Sequence, residues 1–176
     1  MDVPEPPPWA RAAIDRLVAR DPDLASIEAR AGKLPWRTRP VGYPGLLQAV
    51  VGQMISNQAA AAIWGRLAAV PGALDPARVP AIPDDDLRAA GMSRPKVGHM
   101  RALAAAFADG TLSAEAIAAL DDASAIAAIA SIKGLGPWTA EVYLLFALQR
   151  ADVFPAGDIA LAAAAADIKR LPARPK

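Results

Sequence analysis

Residues 132–146 read IKGLGPWTAEVYLLF, and this stretch decides how the rest of the chain is read. A helix ends before Gly134, a Gly-x-Gly turn follows, and Pro137 stands in the first turn of the next helix, where a missing N–H costs nothing. Gly134 and Gly136 permit backbone angles and a close approach that side chains would block. The helix start behind them leaves unpaired N–H groups carrying a partial positive charge. Such a turn can hold a phosphate at Gly134, Leu135 and Gly136. Taken alone, the pattern is more simply a helix–helix corner.

Upstream, the chain reads as short helices joined by tight turns, with no repeat or linker. Trp9, Ala13, Leu17 and Val18 recur at helical spacing, and Asp21-Pro22 restarts the chain as a second helix. Residues 34–45, LPWRTRPVGYPG, hold three prolines and two glycines and form a loop. A helix from about Pro44 to Gly52 leads through GQMIS to Ser56, a good N-cap for a helix with Ala60, Ile63, Trp64, Leu67 and Val70 on one face. A capped helix spans Asp84 to Ala90, with Gly91 as its stop, and Ser93 caps a helix whose stripe is Val97, Met100, Leu103, Ala104 and Phe107. Ser113 and Asp122 each begin another short helix. Downstream, Asp158 reads as the N-cap of a helix over Ile159 to Lys169, which is poor in large apolar residues (LAAAAA, 161–166).

Composition agrees with an all-α chain. Of 176 residues 54% are hydrophobic, enough for one substantial core or two small lobes. Alanine, the best helix former, dominates the apolar fraction. No apolar run reaches the ~20 residues of a membrane span, and MDVPEPPPWAR lacks the layout of a signal peptide, so a cytoplasmic location is expected. The absence of cysteine excludes disulfides, a thiolate nucleophile and an iron–sulfur cluster held by cysteines. The single histidine, His99, is given no role, because a metal site needs several partners. A net charge of +1 neither demands nor forbids nucleic acid.

GLGPWTAEVYLLFAL (134–148) followed by DVFPAGDIAL (152–161) resembles the helix-hairpin-helix DNA glycosylases, in the branch of bacterial DNA-3-methyladenine glycosylase II. LLQAVVGQMISNQAAAAIWGRL (46–67) and AAGMSRPKVGHMRALAAAFADGTL (89–112) match it in order, so the resemblance covers most of Leu46 to Leu161. It implies two small helical lobes with the active site between them and no sheet. The expected division is an N-terminal helical segment and loop over 1–45, a glycosylase core over 46–170 and a tail over 171–176. Family members continue past the last helix with a further helical segment, of which Leu171 to Lys176 would be the beginning.

By the same resemblance Asp158 is the catalytic carboxylate of a monofunctional hydrolase that flips alkylated purines out of double-stranded DNA. The substrates are of the 3-methyladenine and 7-methylguanine class; hypoxanthine and ethenoadenine stay open. The chemistry is consistent, because cleaving an N-glycosidic bond develops positive charge on the sugar and an adjacent carboxylate stabilises it. A cationic base leaves with little protonation, so a lone acid suffices. The lyase members carry a lysine where this chain has Trp138, whose electron-rich ring is expected instead to stack on a cationic base. Tyr143 is expected in the core or at the pocket edge. Met54, with Gln53 beside it, matches the wedge that fills the gap left by a flipped base, although a buried loop methionine is the plainer reading. Ser56, Arg94 and Lys96 are candidates for the DNA backbone. The carbonyls of Ala130, Ile132 and Leu135 match a structural Na+ or K+ site, and no cofactor is required for catalysis. A monomer is expected, with no membrane partner. The alternatives are a non-catalytic DNA-binding module using only the hairpin, a glycosylase/lyase, and a plain helical scaffold.

Overall fold

The computed structural model describes residues 5–175. They form ten α-helices and one short 3-10 turn at Val79–Ala81, with no strand among the described residues. In chain order these are α1 (Pro8–Arg20), α2 (Pro22–Ala31), α3 (Tyr43–Gly52), α4 (Asn57–Ala68), α5 (Asp84–Ala89), α6 (Arg94–Ala108), α7 (Ala114–Ala119), α8 (Asp122–Ala130), α9 (Pro137–Phe146) and α10 (Ile159–Lys169).

Backbone proximity divides the chain into two compact units. One is Arg39–Pro155; the other joins the described parts of Met1–Thr38 and Ala156–Lys176. The boundaries differ from the contiguous division read from the sequence, because α10 packs on α2 and so belongs with the N-terminal helices. A discontinuous unit leaves no trace in local composition.

The larger unit is built around α3, which touches α4, α6 and α9. Seven of its ten residues are buried. Leu46, Leu47, Val50 and Val51 meet Leu67 of α4, Met100 and Leu103 of α6, and Tyr143 and Leu144 of α9 in one core. Each such side chain contributes about 1.5–3 kcal/mol on leaving water. The edge-to-face pair of Tyr43 and Phe107 joins α3 to α6 at a centroid distance of 5.8 Å. Arg150, only 17% exposed, pairs with Asp122 and donates to the carbonyls of Ile117, Ala118 and Leu120, fastening the chain after α9 to the end of α7.

The smaller unit has little buried surface. No residue of α2 or α10 is buried, and α1 buries only Ala10. Its helices are held by polar contacts: Arg11 grips both oxygens of Glu28 at 2.7 and 3.1 Å, Lys169 reaches Asp21 and Asp23, and Arg30 meets Asp167 at 2.9 Å. Trp9 and Trp36 stack edge to face at 5.4 Å. The alanine-rich α10 thus lacks the apolar residues that would seat it in a core.

One expected cap is not formed as read, and a helix that begins at Asp122 as read is capped by the residue before it. Ser93 precedes α6 but its hydroxyl makes no cap bond. The N-cap of α8 is Asp121, whose carboxylate accepts from the Ser124 N–H, while Asp122 turns to Arg150. Adjacent aspartates offer the same local signal, and the distant arginine decides between them. No helix among the described residues is long and apolar enough to cross a membrane.

Candidate active site

In the larger unit, α8 ends at Ala130, residues 131–136 make the turn, and Pro137 opens α9. The two glycines of this turn serve different ends. Gly134 has φ +86, in the left-handed region, and a Cβ there would lie 1.9 Å from Cδ2 of His99. The imidazole of α6 therefore occupies the space that Gly134 leaves, which gives His99 the packing role that the sequence did not reveal. Its Nδ1 is buried without a hydrogen-bond partner. Gly136 has φ −96 and ψ 177, ordinary extended backbone, and a Cβ there would meet nothing within 4 Å. Of the two glycines, Gly134 is the one that the protein's own backbone and packing require, and Gly136 leaves open space on the turn. Leu135 faces inward and is buried, and its N–H donates to the Ile132 carbonyl at 3.0 Å.

Trp138 sits half-buried in the first turn of α9. Tyr143 lies further along the same helix, fully buried, and its hydroxyl accepts the Gly42 N–H at 2.8 Å. Burial pushes its phenol up, partly countered by that hydrogen bond. Of the two places expected for Tyr143, the structure assigns the core and removes it from a base pocket.

The loop between α3 and α4 carries Met54 at its apex, 89% exposed and with φ +58. A buried methionine is thereby ruled out. Gln53 does not point outward with it: its side-chain amide donates to the Gly134 carbonyl and to Thr139 Oγ1, both at 3.0 Å. Thr139 is the buried polar side chain of α9, unmarked in the sequence. Lys96 is likewise turned inward. Its Nζ donates at 2.8 Å to the carbonyls of both Val51 and Gln53, which cap the C-terminal end of α3. Partial burial lowers the pKa of its ammonium. Half-buried, Lys96 spends two of its three N–H donors on these carbonyls, an internal role that its place at a helix start did not reveal. Ser56 is the N-cap of α4, its hydroxyl accepting from the Ala59 N–H at 3.2 Å. Arg94, the first residue of α6, is exposed.

Asp158 belongs to the smaller unit, as the N-cap of α10. Its Oδ1 accepts from the N–H groups of Ala160 at 2.8 Å and Leu161 at 2.9 Å. The two bonds fix the carboxylate at the positive end of the helix. Among the described residues no group of three or more His, Cys, Asp or Glu side chains could hold a metal ion.

No family model matches the chain. Known proteins do. DNA-3-methyladenine glycosylase 1 of Schizosaccharomyces pombe is 32% identical over 137 residues, covering 76% of this chain and 60% of the relative. The chain thus spans three fifths of that relative's length. The solved 3-methyladenine DNA glycosylase of the same yeast, in complex with abasic DNA, superposes with a TM-score of 0.84 at 28% identity, over 94% of this chain and 84% of that one. The crystal structure of a DNA-3-methyladenine glycosidase from Bacillus halodurans gives a TM-score of 0.68 at 31% identity, over 87% of this chain and 71% of that one. With a helix-hairpin-helix over 122–146 and 31% identity to a solved relative of which it covers 71%, the chain belongs to the helix-hairpin-helix DNA glycosylases, in the DNA-3-methyladenine glycosylase family.

Proposed function

We propose that this chain removes alkylated purines from double-stranded DNA by hydrolysing the N-glycosidic bond, with Asp158 as the catalytic residue. The observation that carries the reading is the Asp158 carboxylate, held by two backbone N–H groups at the start of α10 in a chain of this family. The relative solved with abasic DNA holds the product class of such a reaction.

The chemistry needs one anion. As the C1′–N bond breaks, the electron pair goes to the base, and a base alkylated to a cation departs neutral. The positive charge left on the sugar is met by the carboxylate. Water adds to C1′, its proton passes to Asp158 or solvent, and an abasic site remains. Asp158 is pre-oriented by its cap bonds, so little reorganisation accompanies charge development.

Trp138 supplies an electron-rich ring for a cationic base. Because Trp138 stands where a Schiff-base lysine would be needed, the reaction stops at base removal. Met54 enters the gap left by the flipped nucleotide. The outer face of the turn, where Gly136 leaves open space, takes a phosphate at the start of α9. Arg94 and Ser56 remain candidates for the backbone. The carbonyls of Ala130, Ile132 and Leu135 would hold a Na+ or K+, which would supply positive charge for a phosphate; the Ile132 carbonyl accepts one N–H and retains a second lone pair. The protein works as a monomer in the cytoplasm.

Asp158→Asn tests the reading. Asn caps a helix as well as Asp, so the fold and the affinity for DNA should be kept, while release of 3-methyladenine and 7-methylguanine from methylated duplex DNA falls by roughly 100-fold or more. Release that persists in the variant would remove Asp158 from catalysis, and wild-type protein that binds DNA without releasing base would favour a binding module.

A further inference from the structure

We propose that Lys96 and Gln53 are positioning residues that lock the Met54 apex to the hairpin, so that the wedge and the phosphate-holding turn move as one rigid piece during base extrusion; this rests on the glycosylase reading above.

The lock is a relay of hydrogen bonds across three segments far apart in sequence. Lys96, in the first turn of α6, donates to the carbonyls of Val51 and Gln53 at 2.8 Å each, fixing the last turn of α3 just before Met54. From the same residue, Gln53 reaches across to the Gly134 carbonyl and Thr139 Oγ1 at 3.0 Å each, on either side of the turn's exit. Below the turn, His99, three residues after Lys96 and so on the same side of α6, fills the notch at Gly134. Both the wedge loop and the hairpin are therefore fastened to α6 and to each other.

The placement answers a mechanical problem. A wedge can push a base out only if it is braced against the part that holds the strand, since otherwise the loop yields before the stack does. Met54, with φ +58 and 89% exposure, has almost no packing of its own to brace it. The brace comes from its neighbour's backbone and side chain. An ammonium suits the first link because it has three donors and no acceptor, and it is partly sheltered from water. An amide suits the second, since its NH2 group can serve two acceptors at once.

The test uses single-turnover base release from a duplex carrying one 7-methylguanine, opposite either cytosine, where a pair must be broken, or an abasic position, where none is present. Lys96→Met, which keeps the stem and loses the donors, should slow release from the paired substrate by about 100-fold and from the unpaired one by much less. Met54→Ala should show the same selectivity. The double variant should be little slower than either single one, because both act through the same wedge. Lys96→Arg, which restores charge and donors, should recover part of the rate. Gln53→Glu, which keeps the size and removes the NH2 donor, gives the same pattern should Lys96→Met fail to fold. Equal slowing on both substrates, or rate losses that multiply in the double variant, overturns the proposal. Should the wild-type protein release no base at all, the glycosylase reading falls, and amide hydrogen exchange decides the lock on its own. Faster exchange at Met54 and at Gly134 to Leu135 together in Lys96→Met supports it, whereas faster exchange at Met54 alone refutes it.

Discussion

Gly134 and Gly136 occupy one motif yet should respond oppositely to the same methyl group. At Gly134 an alanine must hold φ +86, which costs an L-residue about 1–2 kcal/mol. Its Cβ would also lie 1.9, 2.1 and 2.4 Å from Cδ2, Cγ and Nε2 of His99, so the imidazole must leave its notch. Forcing a group into a packed site adds about 1–3 kcal/mol, and Gly134→Ala should therefore lose about 2–5 kcal/mol in all. Urea unfolding followed by helical circular dichroism would read this as a lower midpoint with an unchanged slope. His99→Ala in the same chain should return the clash but leave the backbone strain, a coupling of about 1–3 kcal/mol.

At Gly136 the expectation reverses. An alanine there meets nothing within 4 Å and adopts an ordinary backbone conformation, so stability should stay within about 0.5 kcal/mol of wild type. The methyl group instead stands on the outer face of the turn, where a phosphate must approach an N–H group. Affinity for duplex DNA should drop by about tenfold, the size of one lost hydrogen bond to a charged group. A Gly134→Ala protein as stable as wild type, or strictly additive effects with His99→Ala, would refute the packing argument; unchanged DNA affinity in Gly136→Ala would refute the assignment of the turn to phosphate.

Three further outcomes follow from the core of the larger unit. Tyr143→Phe strands the buried Gly42 N–H and should lose about 1–3 kcal/mol by urea unfolding. Burial pushes the phenols of Tyr43 and Tyr143 above their ordinary value, so the folded state holds these protons more tightly than the unfolded one. Their contribution is complete below about pH 10 and is lost as pH rises beyond it, at up to about 1.4 kcal/mol per pH unit for each group. Lys96, lowered by burial, acts with the opposite sign, so the comparison to make is alkaline unfolding of wild type against Tyr43→Phe, whose loss should be shallower. Arg150→Lys keeps the charge beside Asp122 but cannot reach three carbonyls in a fixed fork, and a melting measurement should show a loss of roughly 1–3 kcal/mol.

What the sequence disclosed was whatever is local. Ser56 and Ser113 cap the helices they precede, Gly91 ends one, and α10 runs over the residues read for it, because capping and turn chemistry operate within three or four positions. The hairpin was legible for the same reason. What escaped is what the fold brings from afar. Lys96 at a helix start reads as a solvated cation, and only the approach of α3 to α6 turns it into a cap for carbonyls 43 and 45 positions away. His99 reads as a surface or half-buried histidine without a role until the hairpin is laid over it. Asp121 and Asp122 exchange roles because Arg150 arrives 28 residues later. The joining of the two chain ends in one unit is of the same kind, since ion pairs between exposed side chains leave no hydrophobic periodicity to read.

Met54 offers the sharpest separation of stability from function. Its left-handed backbone costs a methionine about 1–2 kcal/mol relative to glycine, and at 89% exposure its side chain returns almost nothing by burial. Selection for stability alone would replace it. Arg170 also has a positive φ, but there the backbone closes a helix end with hydrogen bonds to Ala166 and Asp167, so that conformation has a structural return. Met54→Gly should leave unfolding free energy unchanged or raise it by up to about 1 kcal/mol, the relieved strain being partly offset by the extra freedom of glycine in the unfolded chain. Base release from paired lesions should fall steeply in the same protein. If the glycine variant instead unfolds more easily by more than about 1 kcal/mol, Met54 is a packing residue and the wedge must be sought elsewhere on the loop. If stability rises while release is lost, strain at this one residue is maintained for extrusion and for nothing in the fold.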